Sequence, residues 1–442
     1  MQMPVNKCSM TESFSLPVVA DTAASLSFFA KNGYYQVGQR AFNHKVYAMQ
    51  EATRTGQDIS WNFNKSTYDQ VNWMQTNGRT LDDLYRDRAW QLRQKYKWLC
   101  LAWSGGGDST TVLHSFLLNN IHLDEVVILW PHSRLKGRYN PSKDTRPQNM
   151  SSEWDFAIEP KLRWLQQNYP RVQVTICDVL SDLEENECHD DTILIAEKHS
   201  YSVIQRWRAL DQVLRQRTDQ HGSVAGILAV DTPFVKIIDD WLCVYFDDMA
   251  ANAGSKSDVM LDGWARNIEF FYWTPDMPEI VREQAQALLL FLNQYPHFRK
   301  AFACWETQQS TITQTRRESS ETARRLKKAV LYPSYDHKTF QVQKQTNTHH
   351  SPEWFHWFHS DPHAQEYLEP WQHAINAHQA LIHPKFFVKN VNGNIGQYLR
   401  YQSPLYTVGK LHLNDRQPSK ITTINGKIFS ASDLIATDQW LR

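Results

Sequence analysis

The sequence predicts an α/β fold with an open parallel sheet and helices on both of its faces. Four apolar runs of strand length alternate with stretches whose apolar residues recur at helical spacing. The runs lie at 98–103, 124–130, 172–177 and 224–230, and the helical stretches at 108–118, 153–168, 200–217 and 278–293. This alternation is typical of βαβ units, whose right-handed crossovers place consecutive strands parallel to one another.

The first apolar run leads into the most distinctive stretch of the chain, Ser104-Gly-Gly-Gly-Asp-Ser109. Residues 98–103 are apolar and uncharged, as expected of a strand buried on both faces. The consecutive glycines allow positive φ angles and let a ligand approach the backbone closely. Apolar residues then recur from Val112 to Leu117, so the glycines lie between a strand and a helix. The unpaired amides of a first helical turn bind anions at such a position.

Three interpretations of this stretch compete. A short run of glycines is most often an ordinary turn. A dinucleotide fingerprint does not fit, because the glycines lack the G-x-G-x-x-G spacing, and no Walker lysine follows them. The third interpretation is a family resemblance. Ser-Gly-Gly-x-Asp-Ser after a hydrophobic strand resembles the pyrophosphate loop of the PP-loop ATP pyrophosphatases, and Ser104 to Ser109 match it at every specified position. We favour this interpretation because motif and flanking elements agree.

The resemblance implies a PP-loop, HUP-like nucleotide-binding domain that uses ATP and Mg²⁺. The loop residues implied to bind the nucleotide are Ser104, Gly105, Gly106, Gly107, Asp108 and Ser109. Three of them are implied to be catalytic: Asp108 beside the magnesium ion, and Ser104 and Ser109 as hydroxyl donors to phosphate. In this family a substrate oxygen attacks the α-phosphate, pyrophosphate leaves, and an adenylated intermediate forms through positioning and charge stabilisation.

The layout, with an α-rich leader before the loop and an aromatic C-terminal region, resembles asparagine-synthetase-like proteins of tailed bacteriophages. We therefore expect an AMP-forming enzyme that activates a small-molecule acceptor. We expect the enzyme in the cytoplasm, and in the cytoplasm of the host cell if a phage encodes it. The cysteine that a glutaminase carries as its first residue is missing, since Cys8 is internal. The Glu-Cys-Gly-x-His tail of PAPS reductase is missing as well. Two alternatives stay open: a PAPS-reductase-like nucleotide- or sulfur-handling protein, and a nucleotide-binding or structural protein without turnover.

Residues 1–97 are predicted to form an α-rich leader that packs on the nucleotide domain. The stretch Tyr34 to Val37 indicates a short strand, and residues 42–52 indicate a helix. Thr80 caps a further helix that carries acidic residues in its first turn. This helix leads directly into the strand at 98, so the leader is expected to pack on the core.

The nucleotide domain is predicted to contain four more candidates for phosphate or substrate contact. Lys136 and Arg138 lie beyond the second strand, at the sheet edge where ligands bind, and are either solvated or phosphate contacts. Asp231 and Lys236 follow the fourth strand, which in the family carries residues near the reacting phosphate. The pattern at 234–246 predicts a β-hairpin that extends the sheet antiparallel.

A change in composition near residue 306 divides the nucleotide domain, 98–305, from a C-terminal α+β extension, 306–442. Basic residues between 316 and 328 form either a solvated helix face or a contact with a nucleic-acid backbone. Histidines and aromatic residues cluster at 349–363. Because no H-E-x-x-H placement accompanies them, we favour aromatic packing over a metal site.

Net charge, hydropathy and cysteine content limit the partners and the compartment that the sequence predicts. The 47 basic and 47 acidic residues cancel, so net charge indicates neither nucleic acid nor an anionic membrane as partner. No apolar run approaches the ~20 residues that span a bilayer. The six cysteines are scattered without a C-x-x-C pair and predict reduced, buried thiols. We therefore expect a soluble intracellular protein that has no membrane partner.

Overall fold

The structure is a computed structural model. It describes residues 33–42, 45–130, 153–178, 201–230, 232–248, 268–299, 302, 323, 326–332, 360, 376–377, 379–389, 395–412, 421–424 and 427–429.

The described residues form fifteen strands and seven α-helices. The strands are β1 (Tyr34–Val37), β2 (Arg40–Phe42), β3 (Ile59–Asn62), β4 (Trp98–Ala102), β5 (Glu125–Trp130), β6 (Gln173–Asp178), β7 (Val224–Leu228), β8 (Phe234–Ile238), β9 (Trp241–Tyr245), β10 (Ile268–Phe270), β11 (Phe387–Lys389), β12 (Ile395–Tyr398), β13 (Tyr406–Lys410), β14 (Ile421–Ile424) and β15 (Lys427–Phe429). The helices are α1 (Lys45–Thr55), α2 (Lys65–Tyr68), α3 (Leu81–Lys95), α4 (Gly107–Leu117), α5 (Glu159–Asn168), α6 (Tyr201–His221) and α7 (Glu279–Gln294). A π-helical turn, Trp154–Ile158, precedes α5.

A five-stranded, all-parallel sheet forms the centre of the fold and confirms the predicted α/β class. Its strand order is β10-β7-β4-β5-β6, and the four predicted strands are all present. β5 is buried at all six positions, as expected for a strand covered on both faces. Five of them are apolar, and the sixth, Glu125, forms a salt bridge of 2.7 Å with Arg217. The fifth strand, β10, was not predicted.

The order of the strands reverses at β4. The chain proceeds from β4 through β5 to β6 on one side and returns to β7 and β10 on the other. Helices α3, α4 and α7 pack together, and α6 packs on β4, β5 and β7. In open parallel sheets, ligands bind outside the carboxyl ends of the strands at such a reversal. The glycine-rich loop leaves β4 at that point.

The predicted hairpin is present as β8 and β9, but the expectation that it extends the central sheet is wrong. β9 pairs with β8 on one side and with β13 on the other, which makes a separate antiparallel sheet of three strands. The outer edge of β7 is occupied by β10, so the hairpin has no edge to join there. A strand from the C-terminal region therefore completes the hairpin's sheet.

Helix α3 links the leader to the central sheet. The Thr80 hydroxyl accepts a hydrogen bond from the Asp83 amide at 3.1 Å, which is the predicted cap. Arg88 of α3 is wholly buried, and its Nη2 lies 3.0 Å from Oε2 of the buried Glu269 in β10. The leader also contains an antiparallel sheet of order β2-β1-β3, of which only β1 was predicted.

One hydrophobic cluster extends through all three predicted segments of the chain. Tyr35 of the leader, Leu101 of the central sheet and Val408 of the C-terminal region are all wholly buried in it. Within the residues described above, no helix is long and apolar enough to cross a membrane.

Candidate active site

The glycine-rich loop connects β4 to α4 and is anchored at both ends. At its start, the Trp103 amide donates to the Val127 carbonyl at 2.9 Å, and the buried Trp103 indole donates to Thr110 Oγ1 at 3.2 Å. At its end, Ser109 Oγ accepts from the Ser104 amide at 3.2 Å and lies 3.3 Å from Ser104 Oγ. The two serines expected to contact phosphate thus contact each other and close the loop.

Gly105 must be glycine for two reasons. Its φ is +68°, a conformation that L side chains rarely adopt, and a Cβ at this position would lie 2.7 Å from the backbone of Ala157. Ala157 belongs to the π-helical turn, a feature that is frequent at functional sites. The Gly105 carbonyl accepts a hydrogen bond of 2.6 Å from Lys161 Nζ, and Lys161 is only 1% exposed. A buried cation therefore lies behind the loop.

The start of α4 presents unpaired backbone donors. Gly106 is the N-cap residue and supplies no capping side chain. The first bond that closes the helix runs from the Thr110 amide to the Gly106 carbonyl at 2.9 Å. In the described part of the chain, the amides of Gly107 and Ser109 find no acceptor. With the helix dipole behind them, such amides attract an anion.

The carboxylate of Asp108 contacts two side chains from the segment 326–332. Oδ2 lies 2.5 Å from Lys328 Nζ, and Oδ1 accepts a hydrogen bond of 2.5 Å from the Tyr332 hydroxyl. Burial raises the pKa of Asp108, but the Lys328 charge and the bonds from Lys328 and Tyr332 outweigh it, so the pKa lies below its ordinary value. Asp108 is therefore ionised and paired at neutral pH.

This arrangement disagrees with the expected magnesium site. Mg²⁺ is usually bound through carboxylate oxygens in octahedral geometry. Both oxygens of Asp108 already take hydrogen bonds from protein side chains. Across the described ranges, no group of three or more His, Cys, Asp or Glu side chains could hold a metal ion. The ammonium of Lys328, 2.5 Å from Oδ2, and the hydrogen bond on each oxygen therefore disfavour a magnesium ion at Asp108.

The segment 326–332 is held against the core by further hydrogen bonds. The Tyr85 hydroxyl donates to the Leu331 carbonyl at 2.8 Å, and Lys327 Nζ donates to the Pro233 carbonyl at 3.1 Å. Lys327 is 2% exposed and the Lys328 side chain 27% exposed. The interpretation of this stretch as a solvated basic face is therefore wrong for these two lysines, because both contact the core. The arginines of the same stretch lie outside the described residues.

Asp155, in the π-helical turn, is a titratable group that the sequence pattern did not reveal. Its Oδ2 is buried and has no hydrogen-bond partner among the described residues. Burial, and then the charge of Glu159, raises the pKa of Asp155 from 3.8 to about 6. The same turn contacts Gly105 through the Ala157 backbone. A carboxyl group with a strongly perturbed pKa thus belongs to the turn that supports the loop.

The other predicted site residues are not brought to the loop by the described part of the structure. Lys236 Nζ donates to Gln402 Oε1 at 2.7 Å and lies 4.7 Å from the centre of the Tyr245 ring, so its contacts are with the antiparallel sheet. The remaining candidates lie outside the described residues: Lys136, Arg138, Asp231 and the histidines of 349–363.

Comparison with models of known protein families, with curated proteins and with solved structures finds no match. The classification of this protein therefore rests on its fold and its candidate site. The chain is an α/β protein with an all-parallel sheet and a glycine-rich strand–loop–helix unit at the reversal of strand order.

Proposed function

We propose that the loop from Ser104 to Ser109 binds the phosphates of ATP and that the protein is an adenylating enzyme of the PP-loop type. The observation that carries this proposal is the loop's position at the reversal of a parallel sheet, with unpaired amides at the start of α4. The match of its sequence to the PP-loop motif supports cleavage of ATP to AMP and pyrophosphate.

The residues of the site have distinct roles in this proposal. The amides of Gly107 and Ser109 hold phosphate oxygens, and the cations Lys328 and Lys161 offset negative charge beside and behind the loop. An oxygen of the acceptor attacks the α-phosphorus, the bond between the α-phosphorus and the bridging oxygen breaks, and pyrophosphate leaves. Donors that are already oriented stabilise the charge on the departing pyrophosphate. The acceptor in this proposal is a small nucleobase, nucleotide or amino acid.

The test is the fate of ATP labelled separately at the α and γ phosphates. The pure protein is incubated with Mg²⁺ and a small-molecule cell extract, and the products are separated by thin-layer chromatography. We expect γ-label in pyrophosphate and α-label in AMP or in an AMP adduct. Orthophosphate and ADP would instead show cleavage at the γ-phosphate and contradict the PP-loop mechanism.

Two variants distinguish a specific role of the loop in catalysis from general effects of mutation on kcat. Ser104→Ala removes one hydroxyl from the loop, and we expect it to lower kcat by about 100-fold, the usual cost of one oriented donor. Lys385→Met removes an exposed lysine whose ammonium lies 4.9 Å from the Phe386 ring centre, and we expect it to keep wild-type kcat. Equal rates for the wild type and Ser104→Ala would mean that the Ser104 hydroxyl is not one of the donors to the reacting phosphates.

A second candidate function is nucleotide binding without turnover. It is favoured by Asp108, both of whose carboxylate oxygens are occupied by Lys328 and Tyr332. ATP binding without cleavage in any extract would support it. The PAPS-reductase-like alternative has less support, because two of the three described cysteines, Cys100 and Cys243, are buried, and Cys177 is partly buried. Burial, then Glu125, raises the pKa of the Cys100 thiol.

A further inference from the structure

We propose that Lys328 takes the place of a divalent cation beside Asp108, so that the loop binds the phosphates of ATP without a metal ion. This inference rests on the proposed function, since it concerns how the same loop holds its nucleotide. It covers the binding step alone. Any metal needed for turnover would then arrive on the nucleotide and would not be held by Asp108.

The geometry places the Lys328 ammonium at the start of α4. Its Nζ lies 2.5 Å from Asp108 Oδ2, and its Cδ would lie 3.8 Å from a Cβ built on Gly107. The Tyr332 ring lies over the same glycine, with Cδ2 at 3.6 Å from that Cβ. The segment 326–332 therefore places its cation at the first residue of the helix, where the amides of Gly107 and Ser109 have no acceptor among the described residues.

The ammonium of Lys328 retains donors for a ligand. A lysine ammonium has three hydrogens and no acceptor. In the described residues its hydrogen bond goes to Asp108 Oδ2. The side chain is 27% exposed, so it is not sealed within the core. Lysine is a common phosphate ligand that acts as a point charge, and the loop itself contains none.

The charge balance of the site favours the same assignment. An unpaired carboxylate at Asp108 would repel a triphosphate at the first turn of α4. Lys328 cancels that charge, which leaves the amides and the helix dipole as the net attraction for phosphate. A metal ion bound to one oxygen of Asp108 would compete there with Lys328 or Tyr332, and it would be repelled by the Lys328 ammonium.

The experiment is isothermal titration calorimetry of the full chain with ATP, once in EDTA and once in Mg²⁺. We expect wild-type affinities that agree within about threefold between the two buffers. Lys328→Met should weaken binding in EDTA by about tenfold or more, whereas Lys328→Arg should restore most of it because it keeps the charge. Lys385→Met controls for the loss of a surface charge, and circular dichroism melting confirms that each variant is folded.

Asp108→Asn distinguishes more sharply between a loop that binds ATP without a metal ion and an Asp108 that holds one. If Lys328 replaces the metal, this variant binds ATP in EDTA more tightly than the wild type, because the Lys328 charge is then no longer balanced by a carboxylate. If Asp108 holds a metal, the variant loses Mg²⁺-dependent binding, and the wild type binds at least about tenfold more weakly in EDTA. That second result overturns the inference and leaves the proposed function standing. Absence of ATP binding by the wild type in both buffers refutes the proposed function.

Discussion

Replacement of Gly105 by alanine tests whether the loop must lie directly against the π-helical turn. The new Cβ would lie 2.7 Å from the carbonyl carbon and oxygen of Ala157, and 3.0 Å from the Ile158 amide nitrogen. Gly105 also has a φ of +68°, which costs an L residue about 1–2 kcal/mol. Overpacking against a fixed backbone adds about 1–3 kcal/mol. We therefore expect Gly105→Ala to lower the free energy of unfolding by about 2–5 kcal/mol.

Gly56 provides the matched control for this substitution. Its φ is +71°, and a Cβ there would meet no atom within 4 Å, so Gly56→Ala carries the backbone strain without the overlap. Urea unfolding, followed by tryptophan fluorescence, measures the free energy for each variant. We expect Gly105→Ala to lose at least about 1 kcal/mol more than Gly56→Ala. Equal losses would refute the reasoning, because the contact with Ala157 would then carry no cost.

Three further predictions concern stability. Asp155 has a folded pKa of about 6 against 3.8 when unperturbed, so the stability that its neutral form provides is full below pH 4 and is lost as the pH rises through about 6. Because solvent screens this partly buried side chain, the loss is about 1–2 kcal/mol, and Asp155→Asn should remove it in urea titrations at pH 4 and pH 7.5. Glu269→Gln removes the only fully buried carboxylate that pairs with Arg88 among the described residues and should cost about 3–5 kcal/mol. Asp276→Asn, at 3.5 Å from Arg88 and 37% exposed, should cost less than about 1 kcal/mol in the same assay. Thr80→Ala removes the cap of α3 and should lower the unfolding free energy by about 1 kcal/mol; no change would show that water replaces the cap.

The fold was predictable wherever an element carried its own pattern. The strand at 98 and the glycine-rich turn after it were read from uninterrupted apolar residues and from residues without a Cβ. β10 was missed because its three residues are too few to show a period. The hairpin at 234–246 was predicted from two apolar runs around a tight turn, but its partner strand was not, because strand pairing depends on edges elsewhere in the chain.

The candidate site was predictable only in its loop. Lys328 and Tyr332 lie 220 and 224 positions from Asp108 in the sequence, and no local pattern reports a contact of that range. Lys328 was grouped with neighbouring basic residues as a solvated face, because a run of charges usually is one. Asp155 gave no signal, since its perturbed pKa comes from burial in a π-helical turn that the 3.6-residue period does not reveal.

The pairing of β13 with β9 has a consequence for the nascent chain. Thr407 of β13 pairs with Cys243 of β9 across 164 positions, so the hairpin leaves the ribosome long before its neighbour is synthesised. Until then β9 offers an open row of amides and carbonyls, the feature through which sheets add foreign strands. Such distant pairing is slow and prolongs the exposure. β13 therefore protects the hairpin from aggregation, and a chain that stopped before residue 406 would keep that edge uncovered.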